Sequence, residues 1–334
     1  MGPYYDTIRN PSSFARHASD AENFETLLMN TADTGASNWG TNHLFALRVL
    51  CSEPTSQLKL LQPYYPASSS GFEPCIISLI DGYQGVNLAQ LQEPQIIRRF
   101  QPNRLGYAAL AHLLRSEEVD DHPAAERTQR PSNPSQRDPG MMDWEGIQIG
   151  SSSPTGPGSS SEPGSSIGYT EAPSAPILED HFRDVRQTYK FKHSDVVLQA
   201  TDDGGIQILT RRGPIQVAMM EGKRTFQTTR GTPVVTDGIL TQLIGELITY
   251  KMMSGVQSVS KDDFVIILAI RHYINFSTLT SQTPLLRALL LISNQAPESF
   301  MRIDSTAWFD IKSNARRAIV MNILALVDWA DAQQ

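Results

Sequence analysis

A stretch without a regular apolar pattern, residues 116–176, divides this 334-residue chain into two parts. The stretch is rich in Ser, Gly and Pro, as in the run from Ser151 to Ser161, and it carries many charges. Such a segment buries too little apolar surface to offset the entropy lost on ordering, so its composition predicts a flexible linker. We therefore expect an N-terminal mixed region over residues 1–115, packing on the core, and a C-terminal domain over residues 177–334.

The composition is that of a globular protein with an uneven distribution of charge. Hydrophobic residues make up 40% of the chain and charged residues 19%, and the formal net charge is -7. Residues 177–334 hold 17 Lys+Arg against 16 Asp+Glu, so the acidity lies in the rest of the chain. A negative net charge argues against binding of nucleic acid through charge alone. The balanced C-terminal part leaves a nucleic-acid partner open.

The apolar pattern indicates an intracellular protein that does not cross a membrane. The longest apolar runs, Phe264–Ile270 and Ile319–Val327, are too short to span a bilayer, and the N-terminus lacks an apolar secretory segment. Cys51 and Cys75 are too few for a disulfide framework, and we expect free thiols in a reducing compartment. The expected location is therefore the nucleus or cytoplasm, and the oligomeric state stays open.

Strand and helix patterns alternate in the C-terminal part, which predicts an α/β domain with a mixed central sheet flanked by helices. The Asp202-Asp203-Gly204-Gly205 run is typical of a hairpin turn. In the N-terminal region, residues 43–51 fit a buried strand or a helix equally well. The predicted helices are 21–29, two within 94–115, 177–185, 237–253, 285–292 and 314–332. The predicted strands are 195–200, 206–209, 215–220 and 264–270, with 299–309 extended.

Charged residues at strand ends form the candidate site. Glu221 and Lys223 end the strand pattern of residues 215–220, and side chains two apart share a face of a strand. They should continue the line of Ile215, Val217 and Met219. Asp195 begins an earlier strand pattern and, if the two strands are antiparallel neighbours, its carboxylate lies near Glu221.

Two adjacent carboxylates repel unless a cation lies between them. Mg²⁺ prefers oxygen ligands and keeps several waters, so the pair predicts a site for Mg²⁺ or Mn²⁺. An ammonium beside such an ion can stabilise negative charge that develops on a phosphate or orient the attacking water. The constellation of Asp195, Glu221 and Lys223 therefore points to hydrolysis of a phosphodiester.

Residues 177–332 resemble the PD-(D/E)XK, or restriction-endonuclease-like, superfamily, and in particular divergent domains found in fungal proteins of unknown role. That family's core is a helix, a mixed sheet that carries an acid and (D/E)xK, a helix against the sheet and a further strand. The predicted elements follow the same order. By this resemblance, Asp195 takes the place of the metal-binding Asp, Glu221 is the second metal ligand and Lys223 is the catalytic lysine.

The resemblance also implies roles on the two helices. Glu179 would be a further metal ligand from the first helix, and Gln242, with Glu246 one turn later, would contact the substrate or the lysine from the second. The chain departs from the family pattern where Ser194 replaces the usual proline and Gly222 takes a position that is usually apolar.

Four arginines, Arg211, Arg212, Arg224 and Arg230, form a basic rim that completes the predicted site. Contact with phosphate and ordinary exposure to solvent are equally open as roles for this rim.

The leading interpretation is a metal-dependent nuclease that hydrolyses DNA or RNA with a magnesium-activated water. The alternative is a catalytically inactive domain of the same fold that binds protein or nucleic acid.

Overall fold

The computed structural model contains two compact units. The first combines Met1–Gly71 with Gly156–Gln334, and the second covers Phe72–Thr155. The described residues of the first unit are 2–18, 24, 26–27, 35–67, 179–183, 185–193, 196–210, 213–223, 227–229, 231–253, 257–280, 299–313 and 315–333. Of the second unit, the structure describes residues 72, 76–77, 80, 90–92, 94–95 and 98. The architecture below is that of the first unit.

Short elements make up the N-terminal part of this unit. The side chain of Asn10 caps the second helix by accepting a hydrogen bond from the backbone N–H of Ser13. Pro11 follows at the first helical position, where the N–H group that proline lacks would have no partner within the helix. Of residues 43–51, the first four end a helix and the last three form a strand, so the segment contains both of the predicted alternatives. The elements are α1 (Tyr4–Thr7), α2 (Pro11–His17), a 3-10 turn (Ala36–Asn38), α3 (Thr41–Ala46), β1 (Val49–Cys51) and a second 3-10 turn (Lys59–Tyr64).

The remaining elements alternate between strand and helix. In chain order they are β2 (Glu179–Arg183), β3 (Gln187–His193), β4 (Val196–Asp202), β5 (Gly204–Thr210), β6 (Gly213–Lys223), β7 (Thr228–Thr229), β8 (Thr232–Pro233), α4 (Asp237–Met252), β9 (Asp263–Ile270), β10 (Tyr273–Thr280), β11 (Met301–Ser305), β12 (Phe309–Asp310) and α5 (Arg316–Asp331).

Eight of the described strands form one mixed sheet, which confirms the predicted fold class of α/β with a mixed central sheet flanked by helices. The strand order is β1-β11-β10-β9-β6-β5-β2, with β12 paired to β10. Two neighbouring pairs are parallel, β1 with β11 and β6 with β9, and the other pairs are antiparallel. Two small two-stranded sheets, β3-β4 and β7-β8, lie outside it.

Helix α4 connects the parallel neighbours β6 and β9, as parallel strands require a crossover. It begins at Asp237 because the hydroxyl of Thr236 accepts the backbone N–H of Ile239 and caps the first turn. The predicted helix over residues 237–253 is thus confirmed. The crossover brings the carboxyl ends of β6 and β9 to the same edge of the sheet.

A helix covers each face of the sheet, as β9 illustrates. Phe264, Ile266 and Leu268 are buried in the apolar cluster that contains α4, whereas Val265 and Ile267 are buried in the cluster that contains α5. A strand that is apolar on both faces is the expected pattern for the centre of an α/β sheet.

The β3-β4 hairpin lies on α4. Tyr189 and Leu198 are buried in the α4 cluster together with Trp39 from the N-terminal part. Every residue of α4 from 239 to 250 is consequently buried, including polar ones such as Thr241, whose hydroxyl donates to the carbonyl of Trp39. A helix so enclosed keeps its buried polar groups only when they are hydrogen-bonded.

The segment 177–185, predicted as a helix, contains a strand instead. Glu179 to Arg183 pair antiparallel with β5, and Arg183 lies opposite Gly205. The ladder to a distant strand overrides the local helical pattern, since tertiary pairing outweighs intrinsic propensity.

A bulge in β6 changes which residues share a face with Glu221. The register between β5 and β6 shifts between Ile206 and Gln207, and a bulge inserts one extra residue into one strand. Val217 accordingly packs in the α5 cluster, whereas Met219 packs in the α4 cluster. The prediction of one continuous line through Val217, Met219 and Glu221 was wrong at Val217.

The predicted bounds of β4, β5, β6, β9 and α5 agree with the structure to within a few residues at each end. The largest difference is at the end of β6, which extends three residues beyond the prediction. The strands β3 and β10 were not predicted. Several predictions lie wholly or mostly outside the described residues, namely the linker 116–176 and the helices 21–29, 94–115 and 285–292. Among the described helices, none is both long enough and apolar enough to cross a membrane.

Candidate functional site

Glu221 and Lys223 lie at the carboxyl end of β6, where they pair in register with Leu268 and Ile270 of β9. The Lys223 Nζ atom lies 2.7 Å from Glu221 Oε1. The Glu221 side chain is 1% exposed and that of Lys223 is 20% exposed. The two charges thus form an ion pair that is nearly closed off from solvent.

Gln242 of α4 joins this ion pair to a second acid. Its Oε1 accepts a hydrogen bond from Lys223 Nζ at 2.6 Å. Its Nε2 donates to Glu221 Oε1 and to Glu246 Oε1, each at 2.8 Å. Gln242 and Glu246 are four residues apart and so lie on the same face of the helix. The amide uses both of its N–H groups on carboxylates and its carbonyl on the ammonium.

Asp203 approaches the ion pair from the connection between β4 and β5. Its Oδ2 accepts the backbone N–H of Gly222 at 3.0 Å, and its own N–H donates to the carbonyl of Met220 at 3.1 Å. Its Oδ1 lies 2.9 Å from Nε of Arg186. Because Gly222 separates Glu221 from Lys223 in the chain, Asp203 lies beside the Glu-x-Lys sequence.

Asp202, the preceding residue, is fully buried and anchors this connection. Its Oδ2 accepts hydrogen bonds from the Tyr189 hydroxyl and the Arg183 guanidinium, and its Oδ1 accepts the backbone N–H of Gln187 at 3.2 Å. A buried carboxylate requires such partners. The contacts tie β2, β3 and β4 together and hold the backbone that presents Asp203.

Burial and the neighbouring acids raise the pKa of both glutamates. Burial raises the pKa of Glu221 to about 7, although the ammonium of Lys223 acts in the opposite direction. Burial, followed by the nearby Glu221 carboxylate, raises the pKa of Glu246 well above its ordinary value. Near neutral pH, Glu221 is therefore close to its midpoint, and the pKa of Glu246 is shifted in the same direction.

The structure brings three of the predicted site residues, Glu221, Lys223 and Gln242, into direct contact. Glu179 is not among them: its β2 position is opposite Leu209, at the end of β5 remote from Asp203. The predicted helix that would carry Glu179 to the site is a strand, and its register keeps Glu179 away. Asp195 and the four rim arginines, Arg211, Arg212, Arg224 and Arg230, lie outside the described residues and stay predictions.

The role of Asp203 was missed because its run has the composition of a hairpin turn. β4 and β5 do not pair, since one belongs to the small sheet and the other to the large one. The hairpin interpretation was therefore wrong, and the run is a connection between sheets. A signal was present in the sequence: counting outwards from the β5-β6 turn places Asp203 opposite Glu221 to within one residue.

The carboxylates of Glu221 and Asp203 are the candidate donors for a metal. Within the described part of the chain, no three His, Cys, Asp or Glu side chains are arranged to hold a metal ion. Mg²⁺ commonly uses one or two carboxylates and completes its shell with waters and substrate oxygens. Glu221 Oε2 is buried and has no hydrogen-bond partner among the described residues. A buried oxygen of this kind is costly unless a cation or water completes it, so Glu221 suits a hard divalent cation. The Asp203 carboxylate is close enough to raise the pKa of Glu221 and offers a second negative charge.

Comparison of the chain with protein-family models, with curated proteins and with solved structures gives no match. The function is therefore inferred from the geometry of the site itself.

Proposed function

We propose that the chain is a metal-dependent nuclease of the PD-(D/E)XK type, which hydrolyses phosphodiester bonds of DNA or RNA. The order of elements supports this proposal. An acid, Asp203, directly precedes β5, the antiparallel neighbour β6 ends in Glu-x-Lys, α4 lies against the sheet, and β9 follows parallel to β6. A restriction-endonuclease-like core has this order, with β2 here in place of the expected first helix.

The observation that carries the proposal is the contact of an ammonium with a buried acid, one oxygen of which has no partner among the described residues. Lys223 and Glu221 provide this pair at the end of a central strand. The Asp203 carboxylate approaches the same backbone segment and adds the second negative charge. Burying two carboxylates and an ammonium lowers the stability of the folded chain. A bound cation and an anionic substrate would compensate these charges.

In the proposed reaction, Asp203 and Glu221 would hold Mg²⁺ or Mn²⁺, which would supply a water of lowered pKa. Lys223 stabilises the negative charge that develops on the phosphoryl oxygens, and Gln242 orients Lys223 by accepting from its Nζ. The water oxygen forms a bond to phosphorus, and the bond to the leaving oxygen breaks. The proton released by the water is balanced by the proton that the leaving oxygen takes up.

Cleavage of labelled single-stranded DNA, duplex DNA and RNA by the full chain, in Mg²⁺, Mn²⁺ or EDTA, tests the proposal. We expect metal-dependent cleavage that Glu221→Gln and Lys223→Ala each reduce by at least ~100-fold. Lys261→Ala is the matched control. This exposed lysine lies just before the amino end of β9, whereas the candidate site lies at the carboxyl end of that strand. Thermal unfolding of each variant shows that the loss is chemical and not a loss of fold.

Two further variants decide which aspartate acts with Glu221. Asp203→Asn should abolish cleavage, while Asp195→Asn should leave it within a few-fold of the wild type. The reverse result would reject the assignment to Asp203 and restore the sequence-based prediction for Asp195.

The alternative is an inactive domain of the same fold that binds protein or nucleic acid. It is favoured by the engagement of Lys223 with both Glu221 and Gln242 and by the burial of Glu221, because a substrate has to displace these contacts. No cleavage over the whole panel of substrates and metals, with no metal-dependent rise in unfolding temperature, would support this alternative against the nuclease.

A further inference from the structure

The β3-β4 hairpin has one buried face and one exposed face. Tyr189 on β3 and Leu198 on β4 are buried against α4. Side chains alternate along a strand, so Lys190 and Lys192 belong to the other face, and both are exposed. The ladder pairs these lysines with Gln199 and Val197 of β4, which share the outer face with them.

This outer face is basic and holds no described acid. Thr188 and Thr201 complete it, and their hydroxyls are hydrogen-bonded at 2.9 Å. Lys190 and Lys192 make no ion pair with a described carboxylate, in contrast to the paired Lys59 and Lys223. On a chain with a net charge of -7, two lysines with no described carboxylate partner, beside hydroxyl and amide groups, form a local positive surface.

Arg186 connects this surface to the candidate site. It lies four residues before Lys190, just ahead of β3, and its Nε is 2.9 Å from Asp203 Oδ1. At ~3.3 Å per residue, the segment from Arg186 to Lys192 extends about 20 Å away from Asp203. The cations at positions 186, 190 and 192 therefore form a row that begins at the site.

We propose that this basic face, defined by Arg186, Lys190 and Lys192, binds the phosphodiester backbone of a nucleic acid and leads it to the Asp203–Glu221–Lys223 cluster. The inference rests on the proposed nuclease function and names its substrate-binding surface. Lys, Arg, Thr and Gln side chains are the usual protein partners of backbone phosphates. An extended row of cations suits a linear polyanion better than a compact anion.

Binding is measured by fluorescence anisotropy with the full chain carrying Lys223→Ala, in EDTA, so that cleavage does not interfere. The probes are single-stranded DNA, duplex DNA and single-stranded RNA of equal length, whose comparison identifies which backbone the surface takes. Lys190→Ala with Lys192→Ala should weaken binding and reduce the slope of log affinity against log salt by about two, because each phosphate contact releases roughly one counterion.

Two controls accompany this variant. Lys190→Arg with Lys192→Arg should keep the affinity, since the charge is retained. Lys261→Ala with Arg317→Ala removes two exposed charges elsewhere, Arg317 being on α5 across the sheet, and should leave affinity and slope unchanged. Unchanged binding by the hairpin variant, or an equal effect of the distant pair, would overturn the proposal. Equally tight competition by polyglutamate would also overturn it in favour of an acidic protein partner.

The two proposals fail separately. If the wild type cleaves and the hairpin variant binds and cleaves as well as the wild type, the nuclease stands and the surface is wrong. If the wild type binds nucleic acid through Lys190 and Lys192 but cleaves none of the substrates, the surface stands and the catalytic proposal is wrong.

Discussion

At the residue scale, one amide group holds the candidate site together. Gln242 is hydrogen-bonded to two carboxylates and an ammonium, all within a nearly closed space between α4 and β6. Without an N–H donor between them, Glu221 and Glu246 would meet as two acids in a low-dielectric environment. The amide therefore stabilises the buried pair and fixes the direction of the Lys223 side chain.

Replacing Gln242 with leucine should lower the free energy of unfolding by about 1–3 kcal/mol, because buried polar atoms lose their partners while the volume is nearly kept. Urea denaturation at pH 7 in EDTA measures the change. Gln227→Leu, at an exposed position, is the matched control and should stay within roughly 0.5 kcal/mol of the wild type. Equal effects of the two substitutions would show that the Gln242 contacts contribute nothing.

The raised pKa values of the two glutamates predict how stability varies with pH. Both bind a proton more tightly in the folded than in the unfolded chain, and Glu221 titrates near 7 against an ordinary 4.5. The contribution of Glu221 to the free energy of unfolding is therefore complete below pH 4.5 and decreases as the pH rises through 7, and Glu246 acts in the same direction. Urea midpoints of the metal-free chain between pH 5 and 8 should fall for this reason.

Glu246→Gln isolates the contribution of one of these acids. The amide keeps the shape of the protonated acid and cannot ionise, so the variant should lose less stability than the wild type between pH 5 and 8. Ionisable groups elsewhere in the chain are common to both proteins and cancel in the difference. Parallel pH profiles would mean that Glu246 does not titrate in the way its burial implies.

At the scale of elements, the enclosure of α4 determines where the site can form. The sheet covers one side of the helix, and the β3-β4 hairpin and the N-terminal part cover others. The turn at Ala36–Asn38 approaches so closely that a Cβ at Gly245 would lie 2.6 Å from Ala36 Cβ. A glycine in mid-helix, next to Glu246, is thus required by packing.

Gly245→Ala should destabilise the protein, although alanine favours a helix interior over glycine by about 1 kcal/mol. The opposite sign arises because the N-terminal turn would have to move away from α4. Gly238→Ala provides the control on the same helix, since a Cβ there meets nothing within 4 Å and should be neutral or stabilising. The unfolding temperatures of the two variants test this prediction. An unfolding temperature of Gly245→Ala above that of the wild type would contradict the close packing.

At the scale of the whole molecule, the N-terminal part belongs to the same unit as the candidate site. β1 extends the central sheet by pairing parallel to β11. The carboxylate of Asp237 at the start of α4 accepts the backbone N–H of Tyr4 at 2.7 Å and the hydroxyl of Thr41 at 2.8 Å. Elements of the N-terminal part therefore position the helix that carries Gln242.

A fragment of residues 177–334 should accordingly fail to fold on its own, despite its separate appearance in the sequence. It would expose the apolar residues of α4 and β11 that Tyr4, Leu47 and Val49 cover in the full chain. Circular dichroism and urea denaturation should show no cooperative transition for the fragment, in contrast to the full chain. A cooperative transition with native-like stability would mean that the N-terminal part is dispensable.

The sequence alone determined the elements whose pattern is local. The helix over 237–252, the strand over 263–270 and the shared face of Glu221 and Lys223 follow from side-chain periodicity, which depends on near neighbours in the chain. The mixed sheet between helices followed from the alternation of these elements.

Only the tertiary structure decided which distant segments meet. The pairing of residues 179–183 with β5, the bulge at Val217 and the place of β1 depend on backbone hydrogen bonds between segments far apart in the chain. The approach of Asp203 to Glu221 depends on the same register, and a carboxylate's partners and pKa are properties of its surroundings after folding. Periodicity describes which way a side chain points along its own element, and long-range pairing decides what it faces.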